Sequence, residues 1–300
     1  MERSRCKGGY NEAVALKIPS ALAASCRQTP ERTRWLKHLP SLVEKLKHLW
    51  GFEWDGPLSG EEPSCSYVAA VLCRDGTSAV LKIALPHMEG EHEVHGLRFW
   101  DGDATVRLLA ADENLGALLL ERCRPGTTLR TLSEFDQDLV VSRLLRRLWR
   151  PPLTPHPFRS LSSLTEYWTH ETLAQAEYWL DSALVEEGLG LFKDLPRNAT
   201  REVLLATDLH SGNVLRAERE PWLVIDAKPF VGDPAYDATQ HLFNCRARLQ
   251  ADPERTIRSF SDLLGVEHER VRLWTFARLA AEPRLDWNNV DLALARSISP

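Results

Sequence analysis

Residues 203–229 read VLLATDLHSGNVLRAEREPWLVIDAKP. Their alternation of apolar runs and polar clusters predicts strand, loop, strand, turn and strand. Asp208 and Asn213 stand in the loop at the spacing D-x-x-x-x-N, and Asp226 follows the last apolar run. A hairpin between them could return the Asp226 carboxylate to Asn213. The alternative is that Asp208 and Asn213 cap a turn and that Asp226 only ends a strand.

These three polar residues suit phosphoryl transfer. Mg²⁺ bound to a nucleoside triphosphate prefers hard oxygen ligands and takes only one or two carboxylates from the protein. We therefore expect Asn213 and Asp226 as metal ligands for ATP–Mg²⁺. Asp208, which stays off the metal, is expected as the catalytic base that meets the acceptor hydroxyl.

The same chemistry requires a lysine on an earlier strand, paired with a glutamate on a helix. Lys82 lies inside the apolar run SAVLKIAL, where an unpaired charge would be costly. The next segment, MEGEHEVHGLRFW, is predicted as a helix with several glutamates, of which Glu93 lies one turn before Leu97. We expect Lys82 and Glu93 to form the nucleotide-binding pair. The alternatives are that Lys82 reaches water from an edge strand and that Glu93 lies on a solvated helix face.

The patterns on either side predict an α+β fold in two lobes. Residues 16–125 are predicted as an N-terminal lobe with leading helices, an Asp-Gly hairpin, a helix and two further strands. Residues 126–300 are predicted as a larger helical lobe that holds the catalytic loop, the metal site and an acceptor pocket. A long helix is predicted over 164–187, and residues 1–15 are expected to form a loose tail.

Composition limits the partners. The formal net charge of −5 and the pI near 6.1 give no basic footprint for nucleic acid. No apolar run approaches the eighteen or so residues that a membrane helix needs. The six cysteines show no CxxC spacing, so we expect reduced thiols in a cytoplasmic protein. We also expect a monomer or a weak dimer. Lys17 and Pro19 interrupt the apolar N-terminal segment and disfavour a signal peptide.

An acidic stretch bears on the acceptor. Residues 160–192 contain six acidic residues and no Lys or Arg. Such a surface would favour a cationic substrate, although a run of charges is more often a solvated helix face.

The segment DLHSGNVLRAEREPWLVIDAKPFVGDPAYD (208–237) resembles the signature of the aminoglycoside phosphotransferases, in the streptomycin 6-kinase and hydroxyurea phosphotransferase branch. EHEVHGLRFWDGDATVRLLAAD is similar to the same branch. The resemblance implies a protein-kinase-like fold and ATP- and Mg²⁺-dependent phosphorylation of a hydroxyl on a small molecule, such as streptomycin or a hydroxyurea-like compound. It also implies that His210 and Asp233 support the catalytic loop. The family usually has His-Gly before the catalytic Asp, whereas this sequence has Ala206 and Thr207.

Two other functions fit parts of the pattern. The replacement of His-Gly by Ala206 and Thr207 would suit a catalytically silent nucleotide-binding module. A metal-dependent hydrolase could use Asp208, His210, Asp226 and His241, although no HxH or HExxH spacing is present.

Overall fold

The computed structural model describes residues 16–58, 63–86, 88–284 and 286–300, so the predicted tail at 1–15 lies outside the described residues. The order of two strands, a helix and two further strands is confirmed in a small N-terminal lobe. This lobe contains α1 (Ser20–Cys26), α2 (Pro30–Trp50), β1 (Phe52–Trp54), β2 (Ser66–Cys73), β3 (Ser78–Ala84), α3 (Glu93–Trp100), β4 (Leu108–Asp112) and β5 (Ala117–Glu121).

The small lobe is built on one five-stranded antiparallel sheet in the order β1-β2-β3-β5-β4. Successive side chains of a strand point to opposite faces of the sheet. Leu81 and Ile83 of β3 therefore pack on one face, against a buried cluster that includes Leu39 of α2. Lys82, between them, lies on the opposite face, where α3 packs. This alternation directs a charged side chain toward α3 from an otherwise apolar strand.

The larger lobe is helical and contains two short two-stranded sheets. Its elements are α4 (Glu134–Leu148), α5 (Leu161–Leu173), α6 (Ser182–Asp194), β6 (Val203–Leu205), β7 (Val214–Arg216), β8 (Trp222–Val224), β9 (Phe230–Gly232), α7 (Pro234–Asn244), α8 (Arg246–Ala251), α9 (Pro253–Leu264), α10 (His268–Ala281) and α11 (Asn289–Ser297). Strand β6 pairs with β9 and β7 pairs with β8, both antiparallel. The strands predicted over 203–226 are therefore present, and β9 is an additional one.

The predicted helix over 164–187 is wrong. Helix α5 ends at Leu173 and α6 begins at Ser182. Asp181 starts α6, since its carboxylate accepts a hydrogen bond from the N–H of Leu184 at 3.2 Å. The indole of Trp179 donates to the carbonyl of Thr172 at 3.2 Å and fastens the connection. A cap and a packed tryptophan thus interrupt a run whose composition alone is helical.

The two lobes are joined by backbone hydrogen bonds and by packing as well as by the chain that connects them. Strand β8 pairs with the segment before β4, because the N–H of Val224 donates to the carbonyl of Ala104 at 2.9 Å. Helix α3 rests on the large lobe at Gly96, where an added Cβ would lie 2.9 Å from the ring of Pro229. The division at residues 125 and 126 remains a prediction.

Two general expectations can be compared with the described residues. Within them, no helix combines the length and the hydropathy that a membrane crossing requires. The five cysteines that the structure describes are all free thiols.

The close approach of α3 to the large lobe predicts opposite effects for two helical glycines. Gly96→Ala should lower the free energy of unfolding by about 1–3 kcal/mol, because Pro229 and the buried Trp100 leave no room for a methyl group. Gly190→Ala in α6 is the matched control, because no atom lies within 4 Å of an added Cβ there. It should raise the free energy of unfolding by about 0.5–1 kcal/mol. Urea unfolding of both variants measures the difference. Equal effects would contradict the close contact.

Candidate active site

Lys82 joins the two lobes. Its ammonium nitrogen lies 2.6 and 2.7 Å from the carboxylate oxygens of Glu93, the first residue of α3. The same nitrogen lies 2.6 Å from Oδ1 of Asp226, which follows β8 in the large lobe. The strand lysine, the helix glutamate and the strand-end aspartate singled out in the sequence therefore meet at one point.

The surroundings of this cluster keep the lysine charged. The side chains of Lys82 and Glu93 are 8% and 6% exposed, whereas that of Asp226 is 41% exposed. Burial alone would lower the pKa of Lys82, but the attraction of Asp226 and Glu93 outweighs burial and raises that pKa above its ordinary value. A permanent cation is thus held between a buried acid and an accessible one.

The β7–β8 hairpin brings Asn213 beside the end of β8. Val214 stands opposite Val224 in the strand register, so Asn213 immediately precedes the paired strands and Asp226 lies just beyond them. The side-chain nitrogen of Asn213 donates to the carbonyl of Asp208 at 3.0 Å. The side-chain oxygen is therefore the atom that Asn213 can offer to a cation.

Asp208 has a donor at each carboxylate oxygen. Oδ2 lies 2.5 Å from the ammonium of Lys228, and Oδ1 accepts from the amide nitrogen of Gln240 at 2.9 Å. The Gln240 oxygen in turn accepts from the buried guanidinium of Arg278 at 3.0 Å. A carboxylate offers about four lone-pair directions, so Asp208 can accept a further hydroxyl proton donor.

His210 shapes the turn between Asp208 and Asn213. Its ring nitrogen Nδ1 accepts from the N–H of Gly212 at 3.0 Å, and its backbone carbonyl accepts from the N–H of Asn213 at 2.9 Å. Burial lowers the pKa of His210, which agrees with a neutral ring that accepts at Nδ1. The supporting role of His210 stays a prediction.

Asp233 does not contact the catalytic loop through its described hydrogen bonds. It caps α7 through the N–H of Ala235 at 3.0 Å and binds α10 through the indole of Trp274 at 2.6 Å and through Arg270. These bonds fasten α7 to α10, and the role of Asp233 in supporting the loop stays a prediction.

Asp237 makes the loop contacts instead, one helical turn after Asp233. Its Oδ1 accepts from the N–H of Thr207 at 2.8 Å, and its Oδ2 accepts from the N–H of Ala206 at 3.0 Å and from the indole of Trp149 at 2.9 Å. Sequence reasoning missed this residue. The available signal was an acid on the buried, mostly apolar face of α7.

Lys228 was also missed. Its side chain lies against Asp208, and its backbone N–H donates to the carbonyl of Ala206 at 2.9 Å. The hydroxyl of Thr207 donates to the Lys228 carbonyl at 2.7 Å. The segment after Asp226 is therefore bonded directly to the two residues that precede Asp208.

The four residues of the hydrolase hypothesis are not brought together. His241 is fully buried and lies 2.8 Å from Asp138, whose oxygens also bind Arg248. In the part of the chain that the structure describes, the histidine, cysteine and carboxylate groups close enough to share an ion are those of Asp138, His241 and Cys245. The geometry gives the hydrolase hypothesis no common centre.

Comparison with known proteins identifies the family. The profile of the aminoglycoside/hydroxyurea antibiotic resistance kinases matches residues 58–284. The chain belongs to this family. It is 35% identical over 291 residues to streptomycin 6-kinase of Streptomyces glaucescens, which covers 93% of this chain and 94% of the relative. It is 33% identical over 251 residues to hydroxyurea phosphotransferase of Kitasatospora aureofaciens, which covers 82% of this chain and 72% of the relative.

A solved structure confirms the fold of this family member. The choline kinase LicA of Streptococcus pneumoniae superposes with a TM-score of 0.62 at 14% identity, covering 87% of this chain and 97% of the other. The two-lobed protein-kinase-like fold is thereby confirmed. Together with the family, it identifies this kinase as a small-molecule phosphotransferase and supports neither alternative function.

The buried Asp237 predicts a pH-dependent contribution to stability. Burial outweighs its three N–H donors and raises its pKa from 3.8 to about 6. The folded state therefore binds this proton more tightly than the unfolded state, so the contribution is full below about pH 4 and is lost as pH rises through about 6. Between pH 4.5 and 7.5 the loss should be about 2 kcal/mol.

Asp237→Asn isolates this contribution. The amide does not titrate, so the difference in unfolding free energy between wild type and variant should shrink by about 2 kcal/mol across that range. Chemical unfolding at both pH values measures it. A difference that does not change with pH would contradict the raised pKa.

Proposed function

We propose that this kinase transfers the terminal phosphoryl group of ATP, bound with Mg²⁺, to a hydroxyl group of an aminoglycoside such as streptomycin or of a hydroxyurea-like compound. The observation that carries the proposal is the contact of Lys82 with both Glu93 and Asp226. This contact places Lys82, a cation suited to binding phosphate, beside Asp226, a carboxylate suited to binding a metal ion. Streptomycin 6-kinases and a hydroxyurea phosphotransferase are among its relatives.

The residues present suit a nucleotide-bound magnesium ion. Asn213 offers an amide oxygen and Asp226 an accessible carboxylate, which are the hard donors that Mg²⁺ prefers. When bound with the nucleotide, the ion would neutralise the negative charge that develops on the phosphates during transfer. Lys82 would bind the phosphates from the other side, while Glu93 fixes the direction of its ammonium.

Asp208 is the residue that we assign to the acceptor hydroxyl. A bond forms between the hydroxyl oxygen and the terminal phosphorus, and the bond from that phosphorus to its bridging oxygen breaks. The electron pair leaves with ADP, and the hydroxyl proton passes to the Asp208 carboxylate. The hydrogen bonds to Lys228 and Gln240 hold that carboxylate in one position, and positioning is the main requirement of a loose transition state.

The acidic surface suits a cationic acceptor. Glu166, Glu177, Glu186 and Glu187 lie exposed on α5, α6 and the connection between them. Helix α5 begins beside β9, where Ser160 bridges Val231. An aminoglycoside carries several positive charges, and such a surface would raise its local concentration.

Asp208→Asn should reduce phosphoryl transfer by a factor of about 10²–10⁴, because the amide cannot accept the proton. Asp262→Asn removes one exposed carboxylate from α9 and should leave the rate unchanged. Mass spectrometry of a mixed library of aminoglycosides and small hydroxyl compounds detects each added phosphate. Undiminished turnover by Asp208→Asn would remove Asp208 from this role.

Part of the stabilisation of the fold by nucleotide binding should depend on an intact metal site. At a hundredfold excess over its Kd, ATP with Mg²⁺ should add about 2.7 kcal/mol to wild type. Asp226→Asn, which leaves the Lys82–Glu93 pair in place, should lose most of the Mg²⁺-dependent part. Thermal unfolding with Mg²⁺ and with a chelator measures both. An equal response of variant and wild type to Mg²⁺ would exclude Asp226 as a ligand.

A further inference from the structure

The ammonium of Lys228 lies beside the carboxylate of Asp208, the residue that we assign to the acceptor hydroxyl. It is 2.5 Å from the Asp208 carboxylate, and the two side chains are 20% and 22% exposed. The triphosphate of an incoming nucleotide would meet two accessible acids here, Asp208 and Asp226. Their negative charges would repel the phosphates at close range. Lys82 offsets the charge of Asp226, and Lys228 offsets that of Asp208.

The backbone of Lys228 is fixed by an unusual residue. Thr207 has φ of +46°, in the left-handed region, which is rare and strained for a β-branched side chain. Its N–H binds Asp237 and its hydroxyl binds the Lys228 carbonyl at 2.7 Å. The N–H of Lys228 also binds the carbonyl of Ala206. These bonds set Lys228 against the catalytic loop through main-chain atoms.

We propose that Lys228 binds the terminal phosphoryl group of the nucleotide while it stays paired with Asp208, and that Thr207 is a positioning residue for Lys228. An ammonium group has three N–H donors, so it can bond the carboxylate and a phosphate oxygen together. This inference rests on the proposed function, since it assigns a residue to the same nucleotide. It also explains why Thr207 can stand where the family usually has Gly. The Thr207 side chain gives up the conformational freedom of Gly but supplies a hydroxyl that bonds the Lys228 carbonyl.

Nucleotide affinities test the proposal without any acceptor. The probes are adenylyl imidodiphosphate, which keeps a terminal phosphate, and ADP, which lacks it, each with Mg²⁺ in titration calorimetry. Lys228→Met should weaken the affinity for adenylyl imidodiphosphate by about tenfold or more, as expected for a lost charged hydrogen bond. It should weaken the affinity for ADP by less than about twofold. Lys228→Arg keeps the charge and should retain most of the preference. Lys193→Met removes an exposed lysine of α6 and is the matched control.

Thr207 is tested by a matched pair. Thr207→Val keeps the branched shape without the hydroxyl and should reduce the preference for the imidodiphosphate several-fold. Thr207→Ser keeps the hydroxyl, so the preference for the imidodiphosphate over ADP should stay within about twofold of wild type, because the bond to the Lys228 carbonyl survives. Equal weakening of both nucleotides in Lys228→Met, or no weakening of either, overturns the proposal. If Lys228→Met does not fold, loss of the preference in Thr207→Val but not in Thr207→Ser supports it, and an unchanged preference overturns it.

The two proposals fail in different ways. A nucleotide preference that depends on Lys228, without phosphate transfer to any acceptor, would support this inference and remove the proposed function. Transfer by wild type with an unchanged nucleotide preference in Lys228→Met would remove the Lys228 assignment alone. If wild type binds neither nucleotide, both are overturned.

Discussion

The contact of the Lys82 ammonium with the carboxylates of Glu93 and Asp226 is the interaction on which the site depends. A buried charge is tolerated only where opposite charges and hydrogen bonds replace its water, and removal of one partner of a buried pair commonly costs about 3–5 kcal/mol. Each partner comes from a different element, β3, α3 and the end of β8. The geometry of the cluster therefore requires both lobes, and the close contact of Gly96 with Pro229 holds them at the necessary distance.

The second half of the site depends on main-chain bonds. Pairing of β7 with β8 places Asn213 and Asp226 at the same end of a hairpin. Asp237 binds the backbone of Ala206 and Thr207, and these residues bind the backbone of Lys228. Because each of these bonds fixes backbone atoms, the loop keeps its shape although its residues before Asp208 differ from those usual in the family.

Local sequence was sufficient for the residues whose chemistry conflicts with their surroundings. Lys82 lies in an apolar strand, and Asp208 and Asn213 interrupt apolar runs, so each required an explanation that a functional pairing supplies. The prediction of one long helix over 164–187 was wrong, and Asp237 was missed, for a different reason. The cap at Asp181 and the partners of Asp233 and Asp237 depend on distant groups, such as Trp274 and the Ala206 backbone, whose proximity local patterns do not encode.

The sequence by itself determined the order of the elements in the small lobe, a two-lobed α+β architecture, and a set of acids, amide and lysine suited to phosphoryl transfer. Spacing and hydrophobic periodicity carry that information, because they act within a few residues. Only the tertiary structure decided that Lys228 faces Asp208, that Asp237 holds the loop, and that Thr207 adopts a left-handed backbone. Those features arise from contacts between segments twenty to thirty-one residues apart, whose relative position is fixed only when the β6–β9 pair, the β7–β8 hairpin and α7 pack together.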